Sequence, residues 1–161
     1  MTTPKRILVI EDDESIRAVL GMALADEGYE VIAAENGAEG LALAHTTQPH
    51  VILLDLRMPV MDGWAFAQAY QQQEGRRAAL IVFTAATNAA QRAVEVGADA
   101  YLAKPFKVPD LLTCIAEQLK EDSTYGVRAA SGRRIHWREA GERSFAFDGT
   151  TRRVVAAPWA V

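Results

Sequence analysis

The 161-residue sequence contains one cysteine, Cys114, and three histidines. A single thiol excludes an intramolecular disulfide and any multi-cysteine zinc site. Set in the apolar stretch LLTCIAEQL, it reads as a packed thiol. His45, His50 and His136 show no metal-ligand spacing and read as solvent-facing or structural. No apolar run approaches the ~18–20 residues needed to span a bilayer. The N-terminus MTTPKRILVIEDD lacks the apolar core and small-residue cleavage site of a signal peptide. A cytoplasmic location without a membrane partner is expected. Neither G-x-x-x-x-G-K nor G-x-G-x-x-G occurs, which removes the common nucleotide-binding readings.

What is present is ordinary for a globular chain: 50% hydrophobic and 24% charged residues. The net charge of −4 hides an asymmetry. Residues 1–124 carry 10 Lys and Arg against 18 Asp and Glu, whereas residues 125–161 carry 7 against 3. An acidic body argues against nonspecific nucleic-acid binding by the main domain, because phosphate contacts need clustered cations.

The stretch Val51–Gly63, VILLDLRMPVMDG, holds four consecutive large aliphatic residues and then Asp55. Such a run reads as a strand buried on both faces. A carboxylate at its end is costly unless paired, coordinated or placed at the sheet's rim. Before it, Arg6–Ile10 reads as a strand running into the cluster Glu11, Asp12, Asp13, Glu14. Ile16, Val19, Leu20, Ala23 and Leu24 then mark one helix face, with Gly28 as the stop. The pattern repeats. Strands are expected at Tyr29–Ala34, Leu80–Phe83 and Ala100–Ala103, and helices from Asn36-Gly37 to about His45, Gly63 to about Gln73 with Trp64, Ala67 and Tyr70 on one face, and Ala89–Val96. A last helix opens at Val108-Pro109-Asp110 and buries Leu112, Ile115 and Leu119. Alternating strands and helices imply an α/β fold, a doubly wound five-stranded parallel sheet. The flavodoxin-like order 2-1-3-4-5 is the common five-stranded solution, and it brings the acidic cluster and Asp55 to the same rim.

The motifs ILVIEDD, VILLDLRMPVMDG, LIVFTA and GADAYLAKPF, in this order and each at a strand end, resemble the receiver domain of response regulators in two-component signal transduction over residues 5 to about 121. Glu11, Asp12 and Asp55 offer oxygen ligands only, a set suited to a hard cation such as Mg²⁺. The resemblance implies that Asp12 and Asp55 bind Mg²⁺ directly, Glu11 through water, with the Arg57 carbonyl completing the set. A helix cap is the competing reading for Asp12 or Asp13. The resemblance further implies that Asp55 is the phosphorylation site, Lys104 a cation for the phosphoryl group, Thr84 the switch hydroxyl and Tyr101 its aromatic partner. Tyr101 also reads as a plain strand aromatic. Lys104-Pro105 is the candidate cis peptide. The same resemblance implies that the turn of Met58-Pro59 and Asp62-Gly63 frames the acceptor pocket, and that Arg57 and Ala86 occupy places that tune phosphoryl lifetime in such domains. The Thr84–Lys104 segment is about two residues shorter than usual in the family. By resemblance the protein is a regulatory phosphoacceptor rather than an enzyme, taking its phosphoryl group from a histidine kinase or histidine phosphotransfer protein and able to promote its own phosphorylation and dephosphorylation.

Residues 1–124 are thus expected to form the receiver and 125–161 a linker and basic C-terminal extension rather than a conventional effector domain. YGVRAASG reads as linker. Ile135–Arg138, Ser144–Phe147 and Arg153–Ala156 read as short strands of a small meander, marginal without docking, with disorder as the alternative. Three functions compete: a phosphorylation-dependent switch acting through contacts with an unknown downstream protein, a phosphorylation-independent interaction module on the same fold, and a DNA-binding regulator acting through the arginine-rich tail. Retention of Glu11, Asp12, Asp55, Thr84 and Lys104 favours the first, and nucleic acid is not the expected partner.

Overall fold

A computed structural model describes residues 3–75, 77–85, 87–119, 127–128, 134–140, 143–148 and 153–156. Strand β1 (Arg6–Ile10) leads into helix α1 (Glu14–Asp26), and β2 (Glu30–Ala34) into α2 (Gly37–Thr47). β3 (Val51–Asp55) precedes α3 (Gly63–Gln71), β4 (Ala79–Thr84) precedes α4 (Ala89–Glu95), and β5 (Ala100–Ala103) precedes α5 (Val108–Leu119). The strands form one parallel sheet in the order β2-β1-β3-β4-β5. This is the doubly wound order expected from the alternation of elements.

Every residue of β3 is buried, because neighbouring strands flank it and helices cover both faces. Successive side chains alternate between two cores. Ile52 and Leu54 join Leu80, Val82, Phe66, Tyr70 and Tyr101 on one side. Val51 and Leu53 join Ile81, Phe83, Leu20, Leu24 and Ile115 on the other. The boundaries follow local chemistry. Asp13 and Asn36 cap α1 and α2 by accepting from Ile16 N–H and Glu39 N–H, and Gly28 follows α1 at φ 86°. Helix α2 runs two residues beyond His45, until Gln48 turns to φ 49° ahead of Pro49, whose ring disfavours helical geometry in the residue before it.

Two helix faces differ from expectation by a small rotation. In α1 the buried stripe is Leu20 and Leu24, while Val19 is 51% exposed. In α5 the buried residues are Leu111, Cys114 and Ile115, with Leu112 and Leu119 half-buried. Cys114 is a packed thiol. His50 Nδ1 accepts the Arg6 N–H at 3.0 Å, a structural role, and His45 lies exposed. His136's side chain lies outside the described residues.

Strands β6 (Val127–Arg128), β7 (Arg134–Ala140), β8 (Arg143–Asp148) and β9 (Arg153–Ala156) form a second, antiparallel sheet in that order. β7, β8 and β9 fall on the three expected strand segments, and β6 lies within the stretch read as linker. The β7 backbone comes close to β5, the edge strand of the parallel sheet, and β9 comes close to α4. No described helix is long and apolar enough to cross a membrane.

Candidate functional site

The parallel register brings the C-terminal ends of β1, β3, β4 and β5 to one rim. Ile10 pairs with Leu54, Asp55 with Phe83, and Thr84 with Ala103. The residues after these pairs, Glu11, Asp12 and Lys104, therefore surround Asp55. Glu11, Asp12 and Asp55 each offer a carboxylate oxygen, and these lie within 4.8 Å of one another. Glu11 and Asp55 are 1% and 5% exposed, whereas Asp12 is open to solvent.

Lys104 supplies the compensating charge. Its Nζ lies 3.0 Å from Glu11 Oε2 and 3.7 Å from Asp55 Oδ1. It also sits 4.9 Å above the centroid of the buried Phe83 ring, a cation–π contact. The chain delivers this lysine by bonding Lys104 N–H to Thr84 C=O at 2.9 Å and passing through a cis Lys104-Pro105 peptide. The expected cis bond is therefore present.

Burial pushes the Glu11 carboxyl up to about 6, opposed by the Lys104 ammonium and the Asp13 N–H and reinforced by the charge of Asp55. Asp55 is raised for the same reason, burial, against the pull of Lys104 and the Arg57 and Leu56 N–H groups, with Asp12 adding repulsion. Burial leads both shifts, and repulsion among the carboxylates adds to it. Three converging hard oxygen donors fit a divalent magnesium-like cation, whose charge would offset that cost.

Asp13 caps α1, which settles its competing reading in favour of the cap, and Asp12 makes no such bond. Asp62 caps α3 by accepting from Ala65 N–H at 2.8 Å. Gly63, the first residue of α3, is buried against the backbone of Asp55 and Leu56, and its N–H donates to Leu56 C=O. Between them Met58 and Met61 pack on the core, while Val60 is 86% exposed at φ 69° and Met61 N–H bonds Pro59 C=O across it. That is a tight γ-turn with a β-branched residue in the left-handed region. Ala86 lies outside the described residues.

Thr84 is 1% exposed and Tyr101 5%. Because Val82 pairs with Tyr101, Thr84 stands diagonally across from Tyr101 on the same face of the sheet. Tyr101 belongs to the core beneath α3 and α4, and burial raises its phenol to about 12.

Two features were not read from the sequence. Arg17 Nη1 donates to the carbonyls of Glu11 and Asp12 at 2.7 and 2.9 Å. A cation in the first turn of a helix opposes the macrodipole, and that misfit was the available signal. Trp64 on α3 lies under the Arg92 guanidinium of α4, 5.6 Å from ring centroid to Cζ, and Arg92 pairs with Glu95 at 3.0 Å. Nothing in the spacing of these residues announces that bridge.

A five-stranded α/β domain with an acidic trio and a lysine at the switch-point rim defines the class of protein. The chain belongs to the response regulator receiver domain family, which it matches over residues 7–116. It is 33% identical over 135 residues to the probable transcriptional regulator ycf27 of Cyanophora paradoxa, covering 81% of this chain and 56% of the relative. It is 37% identical over 115 residues to the transcriptional regulatory protein PdtaR of Mycobacterium tuberculosis, covering 70% and 55%. The chain thus spans about half the length of these curated relatives. Among solved structures it is similar to the chemotaxis response regulator CheY4 of Vibrio cholerae, with TM-score 0.67, 35% identity, and coverage of 73% of this chain and 100% of that one. A putative response regulator from Chloroflexus aurantiacus gives TM-score 0.68 at 28% identity, covering 73% and 98%.

Proposed function

We propose that this protein is a phosphorylation-dependent signalling switch that accepts a phosphoryl group on Asp55. The observation that carries the reading is the meeting of Asp55 with Glu11, Asp12 and Lys104 at one rim. Asp12, Asp55 and the Arg57 carbonyl would hold Mg²⁺ directly and Glu11 through water. That ion would neutralise phosphoryl oxygens and orient the donor. A carboxylate oxygen of Asp55 attacks phosphorus, the bond from phosphorus to the donor histidine nitrogen breaks, and the imidazole leaves with that electron pair and takes up a proton. The Leu56 and Arg57 N–H groups, already on the Asp55 carboxylate, hold its orientation.

Lys104 would exchange its bond to Glu11 for one to a phosphoryl oxygen, as a point charge. The Thr84 hydroxyl would donate to another, and its movement would free space beneath α4 for Tyr101 to change rotamer. Phosphate binding shifts such an equilibrium only through contacts that differ between the two states, and the Thr84 bond is one. Residues 1–124 would form this receiver, and residues 125–161 a linker and basic extension. The donor is a histidine kinase or histidine phosphotransfer protein, and the output a protein contact. Incubation with Mg²⁺ and acetyl phosphate, read by intact mass, should add one phosphoryl group to the wild type and none to Asp55→Asn. The absence of any adduct, or the same adduct on Asp55→Asn, refutes the reading.

A second reading, transcriptional output through DNA, is supported by the names of the ycf27 and PdtaR relatives. It requires salt-dependent DNA binding that is lost on deleting residues 125–161, and absence of binding at low salt removes it.

A further inference from the structure

One guanidinium nitrogen of Arg17 holds two successive backbone carbonyls, those of Glu11 and Asp12. These residues carry two of the three converging carboxylates. The same loop is tied from three other directions. Glu11 N–H donates to Ala34 C=O at 3.1 Å, Asp13 N–H donates to Glu11 Oε1 at 3.1 Å, and Asp13 caps α1. Arg17 itself is anchored in α1 by its N–H bond to Asp13 C=O at 2.9 Å. Among the described residues the carbonyls that the guanidinium engages have no other hydrogen-bond partner, and a long side chain is immobilised to meet them. Such ordering costs rotamer entropy, which charge-assisted bonds offset.

We infer that Arg17 is a positioning residue for cation capture: its two bonds fix the Glu11–Asp12 backbone so that the carboxylates point into the pocket before a divalent cation arrives. The inference rests on the proposed metal-dependent phosphoacceptor function. Without the clamp the backbone of both residues can turn, and part of the binding energy goes into ordering the loop. The two bonds of Arg17 go to the β1 loop and neither goes to Asp55, which is held by β3, so the chemical step at Asp55 is left intact once the site is filled. A loss of affinity without a loss of maximal rate is therefore the signature.

The experiment compares wild type, R17A and R17K. Mg²⁺ affinity of the full chain is measured by calorimetry, and phosphorylation by acetyl phosphate is followed across Mg²⁺ concentrations. For R17A the expected result is about tenfold weaker Mg²⁺ binding, the low end for partners that orient metal ligands, with the rate at saturating Mg²⁺ within about threefold of wild type. R17K keeps the charge without the rigid fork and should recover only part of the affinity. Wild-type affinity in R17A, or in R17K, overturns the inference, as does a maximal rate that falls as far as the affinity. If R17A does not fold, R17K alone decides by the same measure. A wild type that binds Mg²⁺ and takes up phosphoryl while R17A matches it refutes only the clamp; a wild type that does neither refutes the parent function as well.

Discussion

Two glycine-to-alanine substitutions should change stability in opposite directions. At Gly63 an added Cβ would sit 2.6 Å from Asp55 O and 2.7 Å from Leu56 Cα, distances that real Cβ atoms do not show. The obstacles are backbone atoms of the strand end that carries Asp55, so no side-chain rotation relieves them. Either α3 or the end of β3 must move. Overpacking of this kind costs about 1–3 kcal/mol. For a receiver of this size that corresponds to a Tm lower by roughly 5–15 °C. At Gly21, within α1, an added Cβ meets nothing within 4 Å and the backbone is not left-handed. Alanine there removes unfolded-chain entropy and should stabilise by about 0.5–1 kcal/mol. Thermal melts followed by circular dichroism separate the two. Because the clash is with the backbone of Asp55 and Leu56, and both α3 and the end of β3 frame the acceptor, phosphorylation should slow by roughly tenfold or more, whereas Gly21→Ala should leave it unchanged. A Gly63→Ala variant with wild-type Tm and rate would show that the close approach of α3 to the acceptor strand carries no energetic weight.

Replacing Lys104 with alanine leaves buried Glu11 facing Asp55 without its ammonium partner. Urea unfolding should show a loss of about 1–3 kcal/mol, larger at pH 8 than at pH 5, where Glu11 can take up a proton instead; equal losses at both pH values would argue against charge as the cause. In cation-free wild type, Glu11 is raised from 4.5 to about 6 in the fold, so the unfolded chain releases that proton first. The stability of wild type relative to Glu11→Gln should therefore fall by on the order of 1 kcal/mol as pH rises from about 4.5 through about 6, then level off. A rise over that interval reverses the sign of the argument. Val60→Gly removes an exposed side chain from φ 69° and should raise stability by ~1 kcal/mol, relief of backbone strain exceeding the entropy of the added glycine; a lower Tm would mean that the turn is not strained.

The sheet order was legible because local signals and the receiver resemblance agree. Uninterrupted aliphatic runs such as Val51–Leu54 read as interior strands, and the order 2-1-3-4-5, taken as the common five-stranded solution and supported by the resemblance, then brings the strand ends bearing Asp55, Thr84 and Lys104 to one rim. Helix faces were less legible. Periodicity locates a stripe to within about one residue, and Val19 and Leu112 lay at its margin, where the packing of the neighbouring element decides. Side-chain to backbone bonds were invisible for a different reason. The carbonyls that Arg17 engages belong to every residue type, so no residue pattern encodes the pairing. The Trp64–Arg92 contact joins α3 to α4 across a separation that only tertiary structure closes.

That contact gives the protein an optical property of its own. The chain has three tryptophans, and two of them, Trp137 and Trp159, lie beyond residue 124. A chain ended at residue 124 keeps Trp64 as its sole indole, stacked under a cation borne by the helix above Tyr101's core. Its emission would therefore follow the distance between α3 and α4 with no label attached, and any event at the pocket that moves α4 would be visible as a change in fluorescence.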